Sequence, residues 1–278
     1  MRTTRNVTDS RASLRLALFL VACAACRTEG APEPRPDPET TAQQGHIPVQ
    51  LPAAATGAPT VMTVAHVAVS PDDPLHGQFS LDDATKGLPA GDTLTATVDT
   101  SHGKMTCRLL QDKAPITVAN FVGLARGVRP WKDPTGHWVT KPAYDGTTFH
   151  RIIKGFMIQG GDAKGDGSGE AGYVIPDEIW VGARHDHTGE LCMANRGANT
   201  NSAQFFITDA AAQHLDHGYT IFGECEPEAV IHMIAGVAVT GEKPSSPVTI
   251  RKVTITRTGS DGGTVPFAGA PLRDSGRD

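Results

Sequence analysis

Residues 149–162 read FHRIIKGFMIQGGD, and this stretch decides how the middle of the chain folds. Polar and apolar side chains alternate around Arg151 as on the two faces of a strand. Lys154-Gly155 is typical of a tight turn, and an extended apolar run resumes at 156–158. The pattern predicts a β-hairpin that carries one cation, Arg151, among hydrophobic side chains.

A second stretch, residues 191–208, reads LCMANRGANTNSAQFFIT. Residues 191–193 predict a short buried strand, and the polar cluster at 195–202 predicts a turn. Gln204 then opens another apolar strand. Taken alone, Arg151 and Gln204 are best interpreted as polar residues at a sheet edge, where such side chains are common and contribute little.

Together the two stretches resemble the signature of the cyclophilin family of peptidyl-prolyl isomerases. Each half matches without a gap over a long run, which is rarely met by chance. The resemblance implies a mainly β fold, a closed eight-stranded antiparallel barrel capped by two helices. It also implies an enzyme that accelerates rotation about X–Pro bonds in proline-containing polypeptides, without a cofactor. A cyclophilin domain kept as a non-catalytic module that binds proline peptides, or as an adhesin-like surface module, is the alternative.

The resemblance assigns roles to individual residues. Arg151 is the expected catalytic donor, because a guanidinium stays charged and presents several N–H groups in a fixed fork. The walls of the proline pocket are then Phe156, Met157, Phe206 and Leu215. The remaining expected substrate contacts are His150, Gln159, Ala194, Asn195, Gln204 and Tyr219.

Two positions depart from the best-known eukaryotic members of the family. His214 stands where they carry tryptophan, and Tyr219 stands where they carry histidine. Loss of the large indole surface leads us to expect weak cyclosporin binding with isomerase activity preserved. The loop at 127–146 is longer than in the minimal eukaryotic relatives and resembles that of the bacterial branch.

Local patterns place further elements between residues 75 and 258, which we assign to the isomerase domain. Residues 94–110 predict an opening hairpin with a turn at 101–103, since apolar side chains alternate on both sides of it. Residues 114–126 and 227–235 predict two helices, each closed by a glycine. A change of phase in the apolar pattern at Arg251-Lys252 predicts a β-bulge.

The first residues predict export. Arginines precede a short apolar run at 16–22 that ends at Cys23, as in a lipoprotein-type signal peptide of residues 1–22. Cys23 is the expected site of lipidation, and Cys26 is a weaker candidate. A plain signal peptide is the alternative. The run is too short to span a bilayer, which takes roughly 20 residues.

The expected lipid anchor would be the protein's only contact with a membrane, with the domain exported to the periplasm or an outer membrane. Residues 23–74 are rich in proline and polar residues and predict a disordered tether. Residues 259–278 predict a disordered tail. We expect a monomer.

Other functional classes fit the sequence poorly. A net charge of −5 and a pI near 6.1 give no basic surface for nucleic acid. Ser202 and Asp209 lie near histidines, but no nucleophile-elbow pattern accompanies them, which argues against a hydrolase. The motif His185-Asp186-His187, even with His214 and His217, does not establish convergent metal ligands, so we expect no metal.

Three cysteines remain in the domain: Cys107, Cys192 and Cys225. A disulfide is permitted in an exported protein, but three thiols leave one over and sequence alone does not pair them.

Overall fold

The computed structural model of this protein describes residues 69–259. The predicted signal peptide, Cys23, most of the predicted tether and nearly all of the predicted tail lie outside the described residues. Between residues 69 and 259, no helix combines the length and the apolar character that crossing a membrane requires.

The described chain is mainly β, as predicted. Its strands are β1 (Thr93–Thr100), β2 (Gly103–Leu109), β3 (Trp131–Lys132), β4 (Trp138–Val139), β5 (Arg151–Ile153), β6 (Met157–Gly160), β7 (Glu190–Met193), β8 (Phe205–Thr208), β9 (Ile221–Glu226), β10 (Val239–Thr240), β11 (Lys243–Pro244) and β12 (Ile250–Thr258). Eight of them form one antiparallel sheet in the order β12-β1-β2-β9-β7-β8-β6-β5. The pairs β3-β4 and β10-β11 are separate two-stranded ribbons.

The sheet curls into a barrel that is not fully closed, which corrects the prediction of a closed one. The end strands β5 and β12 share no ladder. Instead, the N–H of Phe149 donates to the carbonyl of Val248 at 2.9 Å, and the N–H of Ile250 donates to that of Thr147 at 2.8 Å. Strand β5 has only three residues, and its Ile152 N–H donates to the carbonyl of Glu242. A ladder with β12 therefore cannot run along β5.

The first hairpin and the bulge are both confirmed. Strands β1 and β2 pair antiparallel around the predicted turn. In the pairing of β1 with β12, Asp99 faces Lys252 whereas Thr100 faces Ile250. Arg251 is thus the extra residue of the bulge. It shifts the alternation of side chains by one position, so that the apolar side chains after it again point inward.

Both predicted helices are present, as α2 (Pro115–Arg126) and α3 (Glu228–Ala235). Gly127 ends α2 with a φ of 70°, a left-handed conformation that glycine adopts without a steric cost. Met233, an apolar residue of α3, is 55% exposed.

A third helix, α1 (Leu81–Thr85), was not predicted. The hydroxyl of Ser80 accepts from the N–H of Asp83, and the carboxylate of Asp83 accepts from the N–H of Ser80. This capping box is the signal in the sequence that could have revealed the helix.

Aromatic side chains fill the interior of the barrel. Phe121 of α2 stacks on Tyr144 with ring centroids 5.1 Å apart, and Phe205 of β8 meets both rings edge-on. Because side chains alternate along a strand, the next residue, Phe206, belongs to a second and smaller apolar cluster. One strand thus supplies both the core and the candidate site.

The structure pairs the cysteines. Cys107 of β2 and Cys225 of β9 face each other in register and form a disulfide. Cys192 of β7 is free and buried. The pairing depends on two strands that lie 118 residues apart in the chain, which no local pattern reveals.

A buried ion pair joins the segment before α1 to the barrel. Asp73 is 1% exposed and accepts two hydrogen bonds from the guanidinium of Arg129, at 3.0 and 2.7 Å. That guanidinium also lies 4.0 Å from the ring centroid of Tyr173. The packed structure therefore begins before residue 75, the predicted start of the domain.

The pKa of Asp73 follows from these contacts. Burial by itself would raise it, but hydrogen bonds from Arg129 and from the N–H groups of Leu75 and Gly77 outweigh burial and lower it. The stabilisation is therefore present above the ordinary aspartate pKa of about 3.9 and is lost as the pH falls through the lower folded-state value.

We predict that Asp73→Ala lowers the free energy of unfolding by about 3–5 kcal/mol at neutral pH, because Arg129 is left charged and buried without its carboxylate partner. Urea unfolding followed by tryptophan fluorescence measures this. The matched control is Asp72→Ala, which breaks only exposed contacts, an ion pair with Lys132 and a hydrogen bond from Ser70, and should change stability little. Equal losses in the two variants would contradict the prediction.

Candidate active site

A pocket opens on the outer side of the sheet where β5, β6 and β8 meet the loops after β7 and β8. Its lining residues are Arg151, Phe156, Met157, Gln159, Ala194, Asn195, Phe206, Leu215 and Tyr219. All of these were assigned to the site from the sequence. The other two assigned residues, His150 and Gln204, lie beside the pocket and are not among its lining residues.

Arg151 is held through a chain of amide side chains. It pairs across the hairpin with Gln159, whose Oε1 lies 3.4 Å from the Nη1 donor of Arg151. The amide nitrogen of Gln159 donates to Oε1 of Gln204 at 2.9 Å. Gln204 in turn donates to the carbonyls of Gly167 and Gly169. The guanidinium is thereby linked, through two glutamines, to the loop at 167–169.

The opposite side of the pocket is apolar. Met157, Phe206 and Leu215 are all buried, so this floor is largely shielded from water. The rings of Phe206 and Tyr219 meet edge-on with centroids 5.7 Å apart. The ring of His214, which stands where eukaryotic members carry tryptophan, packs on Phe156 with ring centroids 5.2 Å apart.

The backbone beside the floor is fixed by polar contacts. The side-chain amide of Asn195 donates to the carbonyl of Gly218 at 2.9 Å. The N–H of Ala194 donates to the carbonyl of Gln204 at 3.0 Å. This edge can offer main-chain groups to an extended peptide without first ordering a loop.

His150 is buried behind Arg151. Burial is the main cause that lowers the pKa of its ring, and the nearby Arg151 lowers it further, while Asp162 and Asp166 oppose the shift. The imidazole is therefore neutral at pH 7. It adds no second positive charge beside the guanidinium.

Sequence reasoning missed two partners of the pocket. Nε of Arg151 donates to Oε2 of Glu242 at 2.5 Å. Behind the floor, the ring of His185 stacks on Phe206 and its Nδ1 lies 3.1 Å from Asp216. Neither partner is close in sequence to the residue it contacts, so no motif indicated it.

Comparisons with known proteins agree with this geometry. Residues 95–255 match the family model described as cyclophilin type peptidyl-prolyl cis-trans isomerase/CLD. The chain belongs to the cyclophilin family of peptidyl-prolyl isomerases. Enzyme activity of this class, expected from the resemblance, is therefore confirmed at the level of the family.

Curated relatives of this cyclophilin include peptidyl-prolyl cis-trans isomerase A of Mycobacterium tuberculosis. It is 43% identical over 173 residues, which are 59% of this chain and 92% of the relative. Peptidyl-prolyl cis-trans isomerase B of Streptomyces anulatus is 44% identical over 163 residues, 58% of this chain and 93% of the relative.

Solved structures are also similar. A cyclophilin type isomerase of Cryptosporidium parvum superposes with a TM-score of 0.52 at 29% identity, and the match covers 60% of this chain and 99% of that one. A second structure of that protein, determined in the presence of the dipeptide Ala-Pro, gives a TM-score of 0.51 at 29% identity, covering 59% of this chain and 99% of that one.

The histidines considered as metal ligands contact different residues in this cyclophilin. His185 turns to Asp216, and His214 turns to Phe156. His187 lies 2.8 Å from Asp186 and 3.4 Å from Glu190. Among residues 69–259, His185, His187 and His214 therefore contact different partners.

Glu190 lies beside His187 and Asp186, and its carboxyl group has a strongly shifted pKa. Burial raises its pKa, Asp186 and Asp216 raise it further, and His187 only partly opposes them, which places the pKa at about 8. At pH values between 4.5 and about 8, Glu190 is therefore mainly protonated in the folded protein and mainly ionised in the unfolded chain.

We predict that Glu190→Gln removes a pH dependence of stability. Between about pH 5 and pH 8, Glu190 holds up to one more proton in the native state than in the unfolded chain. Wild-type stability should therefore fall as pH rises, by at most about 1.4 kcal/mol per pH unit. Free energies of unfolding at both ends of this window measure the slope, and the variant should lack the part of it that Glu190 contributes.

The matched control is Glu224→Gln. Glu224 faces Glu190 across β7 and β9 but is paired with Arg108, so this variant should keep the wild-type slope. Identical slopes in wild type and Glu190→Gln would show that the pKa of Glu190 is not raised.

Proposed function

We propose that this protein accelerates cis-trans rotation about X–Pro bonds of exported proteins by a non-covalent mechanism in which Arg151 is the catalytic residue. The observation that carries the proposal is the placement of one tethered guanidinium at the edge of an apolar pocket formed by Phe156, Met157, Phe206 and Leu215. Belonging to the cyclophilin family supports the reaction type.

The pocket suits the barrier that must be lowered. Resonance between the amide nitrogen and its carbonyl gives the bond a rotation barrier of roughly 18–20 kcal/mol. In the twisted state the nitrogen becomes pyramidal and regains its lone pair. A fixed donor aimed at that nitrogen stabilises the twisted state more than either planar form, which is what catalysis requires.

The apolar floor has a complementary role. It receives the proline ring and removes the amide from water, where the planar and more polar form is best solvated. No bond is made or broken, so the reaction needs no general base. A neutral His150 behind the guanidinium is consistent with this, since it is required neither as an acid nor as a base.

An extended substrate would lie along the backbone at Ala194 and Asn195. Main-chain groups there would pair with the residue before proline, and Tyr219 would close the far wall of the pocket. The Ala-Pro dipeptide used with the Cryptosporidium relative is a substrate fragment of this chemical type. A binding module without catalysis would use the same groove but would not need the tether on Arg151.

We predict that Arg151→Ala lowers kcat/KM for a proline-containing peptide by about 10²–10³, because the donor acts in the transition state. A protease-coupled or NMR exchange assay measures the rate. Arg251→Ala is the control, since Arg251 lies in the bulge of β12 and pairs with Asp99. If Arg151→Ala kept the wild-type rate, the alternative of a non-catalytic binding module would be favoured.

Export and membrane anchoring are a separate part of the proposal, as is membership of the bacterial branch. The arginines before the apolar run at 16–22, the cysteine that ends it and the proline-rich stretch that follows support a lipid-anchored domain on a tether. The long loop at 127–146 supports the bacterial assignment. The clients would then be proteins that fold after export, in which X–Pro isomerisation is slow enough to limit folding.

We predict that protein isolated from membranes of its native cell begins at Cys23 and carries covalently attached acyl chains. Intact-mass analysis of the mature protein measures both. Cys23→Ser should abolish the acylation and release the domain from membranes, whereas Cys26→Ser should do neither. A mature chain without lipid would favour the plain signal peptide.

A further inference from the structure

The short hairpin of β10 (Val239–Thr240) and β11 (Lys243–Pro244) places an acidic side chain beside the candidate site. Its turn is Gly241-Glu242, and Gly241 has a φ of 65°, which suits the first central position of a two-residue hairpin turn. The N–H of Ser245 donates to the carbonyl of Ala238 at 2.8 Å and closes the base of the hairpin.

Two hydrogen bonds join this turn to the strand that carries Arg151. The N–H of Ile152 donates to the carbonyl of Glu242 at 2.8 Å. The side chain of Glu242 then accepts from Nε of Arg151 at 2.5 Å. The hydrogen bond from Ile152, the residue next to Arg151, fixes the backbone of Glu242. The carboxylate of Glu242 is therefore held close to the guanidinium.

The guanidinium is consequently held at two points. Glu242 takes the Nε donor, and Gln159 lies on the Nη1 side. A guanidinium is planar, so two contacts in its plane determine both its position and its orientation. A guanidinium has five N–H groups. Glu242 and Gln159 accept from Nε and Nη1, and the other Nη hydrogens remain to bind a substrate.

We propose that Glu242 is a positioning residue for the isomerase reaction: its carboxylate orients Arg151 so that the Nη donors face the proline pocket. This inference rests on the proposed role of Arg151. Glu242 does not touch the substrate and acts only through the guanidinium. An unrestrained arginine has many rotamers, and ordering it during each turnover would raise the barrier.

The exposure of the Arg151 and Glu242 side chains determines whether the loss of Glu242 affects stability or catalysis. The side chains of Arg151 and Glu242 are 39% and 52% exposed, and ion pairs that are this accessible contribute little to folding stability. The loss of Glu242 should therefore change catalysis and leave the fold intact. It should also act on kcat more than on KM, because Arg151 acts mainly in the twisted state.

The test compares Glu242→Gln, Glu242→Asp and the wild type in the same peptide assay. For Glu242→Gln we expect kcat to fall about five- to tenfold with KM changed less than about twofold. The thermal midpoint should stay within about 2 °C of wild type. Glu242→Asp keeps the charge and should retain more activity than Glu242→Gln. The control is Glu228→Gln, an exposed carboxylate of α3 that should have no effect.

A double-mutant cycle separates positioning from other causes. If Glu242 acts through Arg151, adding Glu242→Gln to Arg151→Ala should not lower the residual rate further. The same fractional loss in both backgrounds, or full kcat in Glu242→Gln, would overturn the inference while an inactive Arg151→Ala still supported the proposed function. Full activity of Arg151→Ala would instead overturn the proposed function and, with it, the role of Glu242.

Discussion

The register of the β5-β6 hairpin is the constraint on which the candidate site depends. It sets Arg151 directly opposite Gln159, and the neighbouring strand brings Gln204 within hydrogen-bonding distance of the same amide. A slip of one residue would turn the guanidinium to the other face of the sheet. The cation would then lie in the core and the pocket would lose its donor.

Successive side chains of a strand point to opposite faces of the sheet, and this alternation lets the same strands form both the core and the candidate site. On β8, Phe205 enters the aromatic interior, and the next residue, Phe206, forms the floor of the pocket. Floor and core therefore share a backbone that is hydrogen-bonded on both sides by β6 and β7. The apolar surface proposed to receive proline is consequently formed before any substrate binds.

Charge is placed by different rules in the fold and in the site. The buried pair of Asp73 with Arg129 is fully compensated by hydrogen bonds, as a charge removed from water must be. Arg151 is instead left partly exposed and held at its edge, which keeps donors available for a ligand. Glu190 is buried with too little compensation and responds through a raised pKa.

The resemblance to the cyclophilin family indicated the residues of the candidate site. Local patterns in the sequence were sufficient for the hairpins, for both longer helices and for the bulge at Arg251. These features depend on alternation, turn residues and neighbours along the chain. Tertiary structure alone decided the open seam of the barrel, the disulfide of Cys107 with Cys225, and the contact of Glu242 with Arg151. Each of these joins segments far apart in the chain, the last separated by 91 residues. No periodicity encodes such a distance, because it is set by how the strands pack.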